Sequence, residues 1–484
     1  MSDTYDVVVI GAGPVGENAA DRAHAAGLSV AIVESELVGG ECSYWACMPS
    51  KALLRPVAAL REAQRVDGAR QGASGGLGVE AVMSRRDGFA SHWDDDGQAS
   101  WLSGSGIDLV RGHGRLDGVR SVAVTQPDGK PRTLAARHAV VVCTGTRAAL
   151  PPVPGLADAR PWTSREATSA GRVPDRLVVV GGGVVGVEMA TAWQALGSQV
   201  TLVARGGRLL PRMEPFAGAA VADGLVAAGA DVRTGVSVTA VHRDRQDGPV
   251  TVRLEVDGGE SGPSREEDLE CDEVLMAVGR EPRTDDLGLE TVGLKPGGWL
   301  DVDDSCQVKG VEGEWLYAAG DVNHRSLLTH QGKYQARIVG DVIGAKAAGG
   351  TVADGRWGRH AATADHDAVP QVIFTDPEVA SVGRTAEQAR DEGREVRVVD
   401  YDLGQVAGAA LYADDYKGSA RMVVDTRRGH LVGATFVGSG VGEMLHAATI
   451  AVAGEVPIER LWHAVPAFPT ISEVWLRFLE EYRG

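Results

Sequence analysis

The chain has 484 residues, 44% of them hydrophobic, with 66 acidic against 48 basic side chains and a net charge of −18. That length exceeds one core, so about three domains of roughly 100–200 residues are expected, and the negative charge disfavours nucleic acid or an anionic membrane as a main partner. Five cysteines do not make a secreted disulfide framework, no apolar run approaches the ~18 residues of a membrane helix, and residues 1–6 lack the basic start of a signal peptide, so a cytoplasmic protein is expected.

Residues 5–10 read as a buried strand, because Val7, Val8, Val9 and Ile10 form an unbroken apolar run. A Gly11-x-Gly13-x-x-Gly16 turn follows, then an Ala-rich helix over 15–26 and a second strand over 28–33 ending in Glu34. This is a Rossmann-type βαβ unit with an acid about twenty residues past the glycines. Gly11 permits the tight turn, Gly13 lets backbone approach a pyrophosphate, and Gly16 lets helix and strand pack closely. The helix N-terminus offers free N–H groups to phosphate. Glu34 is placed to accept two hydroxyl hydrogen bonds from an adenosine ribose.

Next comes Gly39-Gly40-Glu41-Cys42-Ser43-Tyr44-Trp45-Ala46-Cys47-Met48-Pro49-Ser50-Lys51. Cys42 and Cys47 are within reach of a small disulfide if the segment opens a helix. The pair reads as a redox-active disulfide, as two inert thiols or as half of a zinc site. The lone Cys143, Cys271 and Cys306 offer no second pair, and a structural zinc site wants four ligands. Lys51 stands one helical turn from Cys47. It either lowers a thiolate pKa, ion-pairs with a carboxylate, or is a plain surface lysine.

Residues 65–106 are polar and read as helix, loop and exposed surface. The βαβ pattern then recurs: a strand over 176–180, Gly181-x-Gly183-x-x-Gly186, a helix through 196, and a strand over 199–203. This second strand ends in Arg205 rather than an acid, with Arg208 and Arg212 behind it. Arginine pairs bidentately with a 2′-phosphate where a carboxylate would repel it. The site therefore favours NADPH over NADH; if the arginines are a solvated loop, NADH serves. Residues 246–267 read as a hairpin with an acidic, Gly-rich turn. At 315–321 an apolar strand delivers Gly320 for close approach and Asp321 for a polyol hydroxyl. Residues 344–367 read as a linker, and 370–382 open a third unit that ends in a polar helix over 474–482.

With those residues on the page, the chain resembles the class I pyridine nucleotide-disulfide oxidoreductases: glutathione reductase, dihydrolipoyl dehydrogenase, mercuric reductase and their relatives. The matching motifs run collinearly. They are the 42–51 segment, the Thr144-Gly145 strand end, GGGVVGVE at 181–188, Ala277-Val278-Gly279-Arg280-x-Pro282, Gly320-Asp321 with Leu328-Thr329, and Phe374-Thr375-x-Pro377-Glu378. The resemblance implies an α/β fold with an FAD domain over 1–157 completed by 287–350, an NAD(P) domain over 158–286, and an α+β dimerisation domain over 365–484 that makes a homodimer. It implies cofactor contacts at Gly40, Thr144, Gly145, Gly279, Arg280 and Thr329 besides the two fingerprints. It also implies a route from NAD(P)H to FAD to the disulfide. By analogy Cys47 faces the flavin, Cys42 attacks the acceptor, and Lys51 pairs with Glu188 near the reacting ring.

The pattern breaks near the C-terminus. The family's His-Pro-Thr-x-x-Glu reads Phe468-Pro469-Thr470-Ile471-Ser472-Glu473 here. The orienting carboxylate Glu473 remains, but the acid/base histidine is a phenylalanine, and such proton transfer contributes typically about 10²–10⁴-fold. His463 stands nearest in sequence, and His330 follows Thr329. Tyr44 and Trp45 between the cysteines either narrow the approach or form a platform for a flat acceptor. No second C-terminal cysteine pair of the mercuric reductase type exists. Three functions fit: a reductase of a disulfide or other thiol-reactive small molecule through Cys42–Cys47; a quinone or dye reductase or transhydrogenase with electrons leaving the flavin directly; and a low-turnover redox sensor or scaffold. No metal site is expected.

Overall fold

The computed structural model describes residues 3–245, 248–256 and 264–484. They divide into two compact units. One holds Met1–Pro49, Asp87–Arg147 and Arg280–His366; the other holds Ser50–Arg86, Ala148–Gly279 and Asp367–Gly484.

The first unit is built on a sheet whose central strand is Asp3–Ile10. That strand pairs in parallel with Val30–Glu34 on one side and Pro131–Val142 on the other. Val7, Val8 and Val9 are fully buried, which is why the run is apolar at every position rather than alternating. Asp108–Arg111 and Leu316–Ala318 extend the parallel part, and Ser121–Thr125 and His113–Leu116 add an antiparallel edge. Between the first two strands lies the helix Pro14–Ala25, with Gly13 as its N-cap.

Gly11 sits at φ +99°, a conformation glycine adopts without strain. A Cβ on Gly16 would lie 1.9 Å from the Gly11 carbonyl oxygen. The helix therefore meets its strand backbone to backbone. A second helix, Thr329–Ala347, lies parallel to Pro14–Ala25 at close range. Added Cβ atoms on Gly332, Gly340 and Gly344 would come within 2.6 Å of Val15, Arg22 and Ala26.

The stretch 344–367, expected as a linker, is tied down at its end. Asp365 is buried and accepts hydrogen bonds from Gln331 and Gln335 at 2.9 and 2.8 Å. Residues 344–347 belong to the helix Thr329–Ala347, and the first unit ends at His366.

The second unit repeats the Rossmann arrangement. Its parallel sheet runs Asp231–Thr234, Gln199–Ala204, Arg176–Val180 and Glu273–Met276. A Cβ on Gly186 would lie 1.9 Å from the Gly181 oxygen, the same clash as at Gly16. Val236–Arg243, Val250–Val256 and Arg265–Cys271 form an antiparallel sheet. The last two strands are the arms of the hairpin read over 246–267; the centre of its turn, 257–263, lies outside the described residues. A five-stranded antiparallel sheet starting at Pro370–Ile373 and carrying His430–Gly438 completes the unit. Its closing helix, Val474–Arg483, buries Val474, Phe478 and Leu479. Among the described residues no helix is long and apolar enough to cross a membrane.

Gly16→Ala should be severe for its size, because the methyl meets a fixed carbonyl rather than a side chain. Overpacking of this kind costs roughly 1–3 kcal/mol. Flavin absorbance per chain and thermal melting should both fall. Wild-type values for both would contradict this packing.

Candidate active site

The first fingerprint leaves a cradle for phosphate. The Pro14–Ala25 helix has no side-chain cap at its N-terminus, and a Cβ on Gly13 would meet nothing closer than 4.0 Å. Open space and free N–H groups together fit a pyrophosphate. Glu34 is buried at the end of its strand. Its two oxygens accept from the N–H groups of Ala12 and Glu36, each at 2.7 Å. Burial raises its pKa against those hydrogen bonds. Thr144 holds a buried hydroxyl with no partner among the described residues, beside Gly145 at φ +65°. Asp321 is held by the Thr146 hydroxyl at 2.7 Å, and burial raises its pKa. Arg280 donates to the Thr146 carbonyl at 3.0 Å and stands 3.6 Å from Glu41. These groups fit an FAD: the glycine turn would hold its phosphates and Asp321 its polyol.

Gly40 seats the cysteine segment on that turn. It lies at φ +56°, and a Cβ there would come 2.9 Å from the Gly13 Cα. A short helix, Gly40–Tyr44, carries Cys42; the next helix, Cys47–Gln64, starts at Cys47. Both cysteines are half-buried thiols. The Thr329 hydroxyl lies 3.2 Å from Cys47 Sγ and donates to Cys42 Sγ at 3.2 Å. The Cys42 pKa is pushed up, first by its hydrogen bond to Cys47 and then by burial; Thr329 and Lys333 oppose the rise. Thr329 was read from sequence as a cofactor contact, but its position between the two sulfurs is visible only in three dimensions.

Tyr44 is no platform for an acceptor. It is 1% exposed, and its hydroxyl donates to the Val38 carbonyl at 2.9 Å. The ring braces the loop from inside, while Trp45 meets it edge-on at 5.7 Å. Among the described residues no cluster of three or more His, Cys, Asp or Glu side chains is arranged to hold a metal.

Lys51 is not a plain surface lysine. Its ammonium bonds Glu188 at 2.7 Å, and Glu188 is 3% exposed. The other Glu188 oxygen accepts from the Phe374 N–H at 3.0 Å. The ammonium also lies 5.1 Å over the Phe374 ring, a cation–π geometry. Phe374 was read only as part of a matching motif; here it supports both charges.

At the second fingerprint, Gly183 caps the helix Val184–Ala195 without a side-chain bond, and a Cβ there meets nothing within 4 Å. Gly279, at φ +146°, ends the neighbouring turn. Arg205 and Arg212 are exposed and have no ion pair among the described residues. Arg208 instead donates to the Pro211 carbonyl at 2.9 Å.

Phe468 is 74% exposed. Glu473 is buried and ion-paired with Arg477, and its second oxygen has no partner among the described residues. His463 and His330 are both exposed.

Residues 5–336 match the pyridine nucleotide-disulphide oxidoreductase family, and residues 369–477 match its dimerisation domain. The chain belongs to this family. Dihydrolipoyl dehydrogenase 3 of Pseudomonas aeruginosa is 33% identical over 98% of the chain and 97% of its own length. Mercuric reductase of Staphylococcus aureus is 29% identical over 97% of the chain and 81% of its own length. Among solved structures, the HOCl-induced flavoprotein disulfide reductase RclA of Escherichia coli, in its Cu(II) complex, aligns at TM-score 0.80 with 23% identity, covering 99% of both chains. LpdA of Mycobacterium tuberculosis aligns at 0.81 with 23% identity and the same coverage. These structures share the fold. The chain is an oxidoreductase of the class I branch, FAD-dependent and pyridine nucleotide-using, and its dimerisation domain supports a homodimer.

Lys51→Met should leave the buried Glu188 carboxylate without its cation. Breaking a buried pair from one side costs roughly 3 kcal/mol, read as a lower denaturation midpoint. Lys51→Arg should retain most of the stability. Equal midpoints for Lys51→Met and wild type would contradict the pairing.

Proposed function

We propose that the protein is an NADPH-preferring reductase that passes an electron pair through Cys42 and Cys47 to a small disulfide or another thiol-reactive acceptor. The observation that carries this reading is the contact of two half-buried thiols under one shared hydroxyl, Thr329. Inert core thiols have no need of such a donor. FAD, when bound, takes hydride from the nicotinamide and supplies the electron pair to sulfur. The chain's residues then manage charge and protons. The hydrogen bond between the sulfurs keeps the remaining proton on Cys42. Thr329 donates toward the pair and stabilises a thiolate. Cys42 becomes the nucleophile once that proton leaves.

Support for NADPH lies at Arg205 and Arg212, exposed and unpaired beside a fingerprint that lacks a terminal acid. The same feature argues against dihydrolipoyl dehydrogenase activity, as does Phe468, since that reaction takes protons from a dithiol.

A second reading is favoured by Phe468 itself. If electrons leave the flavin directly for a quinone, a dye or the other nicotinamide nucleotide, no histidine is needed. Cys42→Ser separates the two. The first reading expects turnover with disulfide acceptors to vanish. Full rates with every acceptor would establish the second.

Arg205→Ala should raise KM for NADPH roughly 10–100-fold, the usual worth of a charge-assisted bond, with KM for NADH unchanged. Equal effects on both nucleotides would remove the 2′-phosphate assignment.

A further inference from the structure

A buried amide must turn its oxygen to a donor and its nitrogen to an acceptor. In the first unit this requirement links the Gly320–Asp321 turn to a carboxylate 45 residues further along the chain, Asp365. The Gly320 N–H donates to Gln335 Oε1 at 2.7 Å, and Asn323 Nδ2 donates to the same oxygen at 2.8 Å. Both donors are fixed. A backbone N–H has one role only, and Asn323 is itself held by the Ala318 carbonyl and the Arg325 N–H, each at 3.1 Å. Gln335 must therefore present its oxygen to the turn. Its nitrogen faces the other way and donates to Asp365 Oδ2 at 2.8 Å. The second Asp365 oxygen accepts from Gln331 Nε2 at 2.9 Å. Asn323, Gln331, Gln335 and Asp365 are all buried.

The turn has little room of its own. Gly320 sits at φ +81°, and a Cβ there would come 2.9 Å from the Val15 side chain. A Cβ on Gly332 would come 3.1 Å from the Gly320 Cα. The turn is pressed between the Pro14–Ala25 and Thr329–Ala347 helices, and Gln335 fixes the direction of its N–H. Asp321 follows at once, held by the Thr146 hydroxyl at 2.7 Å.

We infer that Asp365 is a positioning residue for the flavin: it orients the Gln335 amide, and through that amide the Gly320–Asp321 turn that would grip FAD. The inference rests on the reading of Asp321 as the partner of the polyol. It concerns cofactor retention and is independent of which acceptor the enzyme reduces.

Asp365 performs this task only as a carboxylate. Two glutamine donors face its two oxygens, and a protonated carboxyl would turn an O–H toward one of them. Burial pushes its pKa up to about 6, against the pull of Gln335, Arg325, Gln331 and His366. Arg325 stands 3.8 Å away, and His366 pairs with Asp304 at 2.9 Å. Cys306 and Tyr334 also feel the Asp365 charge. The sign follows from the ionised form being the orienting one. The grip on flavin is complete above about 6 and is lost as pH falls through that value.

The test follows flavin retention and the turn itself. Full-length FAD-loaded enzyme is diluted at several pH values, and released FAD is read by its fluorescence. Asp365→Asn sets an amide donor against a glutamine donor and should speed release roughly tenfold at neutral pH. Wild type should approach the variant's rate below about pH 6. The ratio of the two curves removes other carboxyls that titrate there, Glu17 among them. Combining Asp365→Asn with Gln335→Glu exchanges the two groups. The new carboxylate accepts from the Gly320 N–H and from the new amide, whose oxygen accepts from Gln331. Release should return to within about threefold of wild type, as expected for groups coupled in one network. Hydrogen exchange reads the turn: in Asp365→Asn the peptide holding Gly320 should exchange faster, with the Thr329–Ala347 helix unchanged. Wild-type release in Asp365→Asn, or fast release that the exchange of groups does not reverse, would overturn the inference. Faster exchange along the whole helix would also overturn it, by making Asp365 a general support of the fold. If Asp365→Asn does not fold, the double variant decides alone by the same threefold limit. Asp321→Ala separates the two readings. Wild-type release there, with fast release in Asp365→Asn, removes the polyol contact and leaves Asp365 in its role; the reverse pattern removes Asp365 alone.

Discussion

Two backbones touch at Gly13 and Gly40 with no side chain between them, and the chemistry of the first unit depends on that contact. It seats the cysteine segment on the same helix end that offers N–H groups to phosphate. One set of glycines therefore places a helix end fit for phosphate and the cysteine loop side by side. Gly16 does the matching job one turn along, where the helix backbone meets the Gly11 carbonyl. A methyl on Gly40 or on Gly16 would push one partner away from the other. The second fingerprint repeats the Gly16 contact at Gly186. The shared geometry is that of nucleotide binding, and the loop is what distinguishes the first site.

Fold class, both fingerprints and the cysteine pair were legible in the sequence because each is written locally. A buried parallel strand must be apolar throughout, and a turn tight enough for Gly11 at φ +99° calls for glycine. The Lys51–Glu188 pair needed the family resemblance, because 137 residues separate the partners. Phe374 was quoted as a motif without its job, since a backbone N–H carries no sequence signal. Of the two readings of Tyr44, the acceptor platform fails for a related reason. Its ring chemistry suits an acceptor platform, but its hydroxyl finds the Val38 carbonyl inside.

Glu17 shows why a sequence hides what burial does to a charge. An acid in the first turn of a helix is ordinarily read as a partner for the helix dipole. Only the register between Pro14–Ala25 and Thr329–Ala347 brings Lys333 alongside it. Only burial turns an ordinary carboxylate into one that titrates near neutrality. Phe468 was conspicuous in the sequence, and the structure adds that the ring is exposed. Glu473, the carboxylate left from the same signature, binds Arg477 instead.

The account stands on a dithiol that exchanges electrons with flavin. Anaerobic titration of the FAD-loaded enzyme with NADPH, followed by absorbance, tests this most directly. A broad long-wavelength band from thiolate beside oxidised flavin should reach its maximum at two electrons per subunit and vanish in Cys47→Ser. Bleaching of the flavin from the first equivalent, with no such band, would show that Cys42 and Cys47 take no part.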